Sequence, residues 1–79
     1  MQKWEYVLVV ASTGLGGGIR LYDGKQSKKL AGKGENELIQ ILNQLGAAGW
    51  EVVNGTYQMN NAAVVVENYL LKREVSKTS

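Results

Sequence analysis

The chain has 79 residues and a formal net charge of +2, too small to imply a nucleic-acid partner by itself, and it contains no cysteine, histidine, proline or phenylalanine. A chain of this length makes one small domain that buries only about 60% of its unfolded surface. Lack of cysteine excludes disulfides, thiolate chemistry and cysteine metal sites, and lack of histidine removes the commonest general base and metal ligand.

Met1 to Tyr6 carries charge where a signal peptide needs an apolar core, and no apolar run is long enough to cross a bilayer. A cytoplasmic protein with no membrane partner is the expectation. Trp4 to Ala11 is rich in β-branched and aromatic residues and predicts a first strand. Trp4, Tyr6, Leu8 and Val10 point one way, and Glu5, Val7, Val9 and Ala11 the other. Both sets are apolar apart from Glu5, so the strand is expected in the middle of a sheet.

Ser12 to Gly18 is a glycine-rich breaker run and predicts a loop. Glycine loops with free N–H groups bind phosphate, but such loops lead into a helix and end in Gly-Lys-Ser/Thr. This one leads into Ile19-Arg20-Leu21-Tyr22, a second strand at the sheet edge. A plain connection is favoured, with a ligand loop over Gly14 to Gly18 as the alternative. Asp23-Gly24 makes a turn. Lys25, Lys28, Lys29 and Lys33 then fall in a polar stretch, read first as a charged edge that discourages sheet-to-sheet aggregation. The alternative is a contact for nucleic acid or another polyanion. Nucleic acid is disfavoured because only Tyr22 lies near enough to stack on a base.

Leu38, Ile41, Leu42 and Leu45 recur at i, i+3, i+4 and i+7 and predict a helix, with Ile39 on its flank. Glu35 and Glu37 suit its positive N-terminal end, and Gly34 or Asn36 its N-cap. Gly49 suits the left-handed residue that closes a helix. With Gly49 in that place, Leu45 and Trp50 form the apolar pair of a Schellman stop. Gly46 weakens the last turn by about 1 kcal/mol against alanine, which points to close packing beneath it. Trp50 to Gln58 predicts the third strand, Asn60-Asn61 a hairpin turn, and Ala62 to Arg73 the last strand. Residues 1–75 are read as a single domain and residues 76–79 as a disordered tail.

A right-handed crossover through the helix makes the first and third strands parallel, and the hairpin places the last strand between them. The expected fold is therefore α+β: a four-stranded antiparallel sheet in order 2-1-4-3, a ββαββ arrangement with one helix on one face. Trp4, Tyr6, Leu8, Val10, Trp50, Val52, Val64, Val66 and Leu70 are assigned to the helix side. The open side then carries Val7, Val9, Val53, Tyr57, Val65, Tyr69 and Leu71, with Glu5, Glu51, Glu67 and Arg73 at its margins.

Three segments together resemble a family of small bacterial proteins known only as a domain of unknown function. They are Trp4-Glu5-Tyr6; Leu42, Asn43, Leu45, Gly46, Gly49, Trp50 and Glu51; and Tyr69, Leu71, Lys72 and Arg73. The resemblance implies the fold and no activity. The chain departs from the family pattern at Val7, where lysine is common, and at Ala48, where glutamate is common. Val7 is expected to make the open sheet face more apolar.

An open apolar sheet face should meet something. The expectation is a non-catalytic module that self-associates, most simply as a dimer, or binds another protein through that face, with no cofactor or metal. Glu5, Glu51 and Glu67 are assigned to solvated surface rather than to catalysis, because nothing in the sequence supplies a base or metal beside them. The alternative is a binder of a small ligand or polyanion using Gly14 to Gly18 and Lys25 to Lys33.

Overall fold

The structure, a computed structural model, describes residues 3–13, 17–31, 35–61 and 64–75. Five strands and one helix follow in the order β1 (Trp4–Ser12), β2 (Gly18–Tyr22), β3 (Ser27–Ala31), α1 (Glu35–Ala47), β4 (Glu51–Asn61) and β5 (Val64–Glu74). All strand pairs are antiparallel, and the sheet order is β3-β2-β1-β5-β4. The expected four strands in order 2-1-4-3 are corrected to five. The additional strand, β3, is the lysine-bearing stretch read as a polar connection. Its residues have weak strand preference, and it forms because the turn before it delivers the chain back alongside β2. Asp23 Oδ1 accepts from the N–H groups of Lys25 and Gln26 at 2.9 and 3.0 Å, and Gly24 takes the left-handed φ of 96°. These two bonds, that of Gln26 first, hold the exposed Asp23 carboxyl below its usual pKa.

The helix ends as its sequence requires. Trp50 N–H donates to the Leu45 carbonyl and Gly49 N–H to the Gly46 carbonyl, both at 3.0 Å, with Gly49 at φ 98°. This is the paired bonding of a Schellman stop. Asn36 lies inside the helix rather than at its cap, and Gly34 is outside the described residues. Nothing packs beneath Gly46: a Cβ there would meet no atom within 4 Å. The expected close contact is therefore absent, and the glycine is an uncompensated local weakness.

Leaving from β3 at one margin and entering β4 at the other, the chain has to cross the sheet. Helix α1 accordingly lies over the middle strands. Leu38 and Ile41 bury against Val7 and Val9 of β1, Ile19 of β2 and Leu71 of β5. Val9 is 0% exposed, Leu71 1% and Val7 6%, so the helix covers the face that the sequence analysis left open. The pairing of β1 with β2 explains the reversal. Val9 pairs with Leu21 and Ala11 with Ile19, while Leu8 pairs with Tyr22 and Val10 with Arg20. The Val7–Val9 side thus continues across β2 as aliphatic surface. Its opposite would place the Arg20 guanidinium under the helix, and burying an unpaired charge is prohibitive.

Strand β4 lies at the margin, and its side chains from Glu51 to Met59 are all exposed. It is held by backbone pairing to β5, with register shifts at Val52/Asn54 and Met59/Asn61. Gly55 is also covered by the Tyr69 ring, whose edge would stand 3.0 Å from a Cβ added there. The hairpin turn expected at Asn60-Asn61 is corrected: β4 runs through Asn61, which pairs with Val64, so both asparagines belong to the strand. The tail from residue 76 lies outside the described residues.

Candidate functional site

The face away from the helix is the candidate site, and cross-strand pairing sets its composition. Tyr22, Leu8 and Leu70 form one row across β2, β1 and β5. Tyr6 with Lys72, and Trp4 with Glu74, form rows toward one end, and Arg20, Val10 and Asn68 a row toward the other. Tyr6 is 51% exposed, Trp4 41%, Tyr22 40% and Leu70 36%, a high proportion for large apolar side chains sharing one surface. The Lys72 ammonium sits 4.3 Å from the Trp4 ring centroid and 3.9 Å from Glu51 Oε1, closing that end of the patch with a charge of each sign.

At the opposite end a depression of about 290 Å3 is lined by Ser12, Gly17, Gly18, Arg20, Tyr22 and Lys29, with Val10 beside them. Arg20 and Lys29 are direct cross-strand partners, so two cations face the same hollow. Sequence reasoning missed this pairing because it requires β3, which was not expected.

The residues expected to form the partner face are placed elsewhere. Val7, Val9 and Leu71 are core, and Val65 and Tyr69 are half-buried on the helix side. Val53 and Tyr57 are exposed on the β4 margin, 43% and 64% respectively, away from the aromatic patch. Val7 therefore adds to the core and not to an open surface. Among the lysines, Lys25 lies in the β2–β3 turn, and Lys28 and Lys29 alternate on β3, so they do not gather on one surface. Lys33 and Gly14 to Gly16 lie outside the described residues.

The three glutamates also separate. Glu5 and Glu67 are on the helix side and Glu51 on the other, each with a different partner. Glu67 accepts a 2.7 Å hydrogen bond from the Tyr69 hydroxyl, which, with partial burial, pushes the phenol up to about 12. Glu5 pairs with Arg73, whose Nε donates to Glu5 Oε1 at 2.7 Å. The Arg73 guanidinium also stacks 4.2 Å from the Trp50 ring centroid and donates to the Ala48 carbonyl at 3.3 Å. One arginine thereby ties the helix end to β1 and β5. Much of the Trp-Glu-Tyr, Gly-Trp-Glu and Lys-Arg pattern converges on this clasp and on the Trp4–Lys72–Glu51 contact, both of which are structural.

Among the described residues no group of three acidic side chains is placed to hold a metal ion, and no helix is long and apolar enough to cross a membrane. Compared with models of known protein families the chain matches none, and it matches no curated protein. What the chain does is therefore read from the two sheet faces and the groups they display.

Proposed function

We propose that the protein is a non-catalytic binding module that self-associates through the uncovered face of its sheet and works in the cytoplasm. The supporting observation is the exposed surface of Trp4, Tyr6, Tyr22 and Leu70 around Leu8 and Val10. A face of this kind loses unfavourable water contact when it is covered. A second copy fits it by symmetry. A two-fold axis along β1 lays Leu8 over its own copy and Tyr22 of one chain over Leu70 of the other, because these residues form one row centred on β1.

Light scattering at micromolar concentration tests the reading. The expected mass is twice the 8.6 kDa of one chain. Leu8→Lys places like charges together on the axis, and the variant should run as a monomer with an unchanged circular dichroism spectrum. A monomeric wild-type chain refutes self-association, and a Leu8→Lys dimer moves the interface off this face.

A further inference from the structure

We infer that the depression at the Ser12–Gly18 end of the uncovered face is a binding site for a small phosphorylated ligand carrying a planar ring, of the nucleoside monophosphate class. The first ground is the Arg20–Lys29 pair. Like charges directly opposite each other on a sheet are destabilising, and here they share one face. Neither has a carboxylate partner among the described residues, where the ion pairs are Lys72 with Glu51 and Arg73 with Glu5. Protection of a sheet edge explains a lysine on β3 but not Arg20, because β2 is an interior strand. A bound phosphate turns the repulsion into two attractions, with the guanidinium fork matched to its oxygens.

The second ground is the shape of the site. Gly17 and Gly18 place no side chains in the hollow, and Ser12 adds a hydroxyl at its rim. Its volume of about 290 Å3 lies at the small end of ligand sites. The third ground is Tyr22. It stands two residues from Arg20 on the same face, about 7 Å along the strand, and its ring is 40% exposed. That offers a stacking surface at the distance separating the phosphate and base of a mononucleotide. The site shares Tyr22 with the Tyr22–Leu8–Leu70 row, so a ring stacked on Tyr22 displaces a second copy from it; ligand binding is read by calorimetry and self-association by solution mass.

Calorimetric titration at low salt with adenosine monophosphate, inorganic phosphate and adenosine tests the assignment. Adenosine monophosphate should bind at least tenfold more tightly than either of the others. Arg20→Gln and Lys29→Gln should each weaken it about tenfold, the loss of one charge-assisted contact. Lys28→Gln makes the same charge change on the opposite side of β3 and should leave affinity unaltered. Tyr22→Leu should abolish the preference over inorganic phosphate. All these side chains are at least partly exposed, and melting curves should match wild type. Solution mass should also match for the Arg20, Lys29 and Lys28 variants, which keeps a binding loss distinct from a loss of fold or assembly. Tyr22→Leu is read only by its ratio of affinities for adenosine monophosphate and inorganic phosphate. No binding by wild type, or equal losses from Lys28→Gln and Lys29→Gln, overturns the site. Equal affinity for phosphate and adenosine monophosphate overturns the ring-bearing class.

Discussion

The two faces of the sheet are built from strands of similar hydrophobicity, yet one is a core and the other a surface. Leu70 and Leu71 are neighbours on β5, the first 36% exposed and the second 1%. Trp50 and Trp4 each stack with a cation, Arg73 at 4.2 Å on the covered side and Lys72 at 4.3 Å on the uncovered side. The covered face takes branched aliphatic side chains that interlock with Leu38 and Ile41 of the helix. The uncovered face takes rings, which bury much area and still tolerate water at one edge. Rings and aliphatic side chains nevertheless occur on both sides, Tyr69 and Trp50 on the covered one and Leu8 and Val10 on the uncovered one. What separates the faces is β2, which puts Ile19 and Leu21 on one side and the Arg20 charge on the other.

The largest effect should separate the two leucines. Leu71→Ala opens a cavity under the helix and should cost about 2–5 kcal/mol, comparable with the whole stability of a small domain. Leu70→Ala should cost about 1 kcal/mol in dilute solution, where assembly adds nothing. Urea melts of the two variants measure the difference. Equal costs would mean that the uncovered face is as buried as the core.

The tryptophans divide the same way by a smaller margin. Trp50→Ala removes a ring packed against the core and the platform under Arg73, and should cost about 2 kcal/mol, less than a fully buried ring because Trp50 is half-buried. Trp4→Ala loses a half-exposed ring and one surface cation contact, and should cost about 1 kcal/mol. A larger loss from Trp4 than from Trp50 would reverse the roles of the two clusters.

The helix and its stop were legible because their signals are local. Leucine spacing, Gly49 and Trp50 fix dihedrals and bonds within a few residues. Face assignment was not legible from β1, where alternation yields two apolar sets. The deciding residues are Ile19, Arg20, Leu21 and Tyr22, and they decide only once their register against β1 is known. Strand β3 is not legible because lysines say little about pairing and the residues of β2 read as an edge strand. The same gap hides the Arg20–Lys29 pair, since the two residues are nine positions apart and meet only across the Asp23–Gly24 turn.

The outer side of the helix touches neither face, and Gly46 sits there in open space at a φ that alanine can adopt. Gly46→Ala should stabilise the fold by about 1 kcal/mol. A thermal melt checks it, and any loss of stability would reveal a contact on that side of the helix.

The smallest effect concerns Tyr69, half-buried on the covered face. Its phenol is raised from 10.0 to about 12 chiefly by donating to Glu67, then by burial and the Glu67 charge. The folded state therefore holds this proton more tightly than the unfolded state. The contribution is fully present below pH 10 and is lost as pH rises to about 12, because the unfolded chain releases the proton first. Tyr69→Phe keeps the ring over Gly55 and deletes the titration. Stability of wild type should fall more steeply than that of Tyr69→Phe across this window, and the two should run parallel below it. Lysines titrate in the same range in both proteins, so only the difference between the curves carries the signal. Parallel curves throughout would mean that the Tyr69–Glu67 bond is not kept in solution, and that the covered face is looser along β5 than the packing of Tyr69 over Gly55 implies.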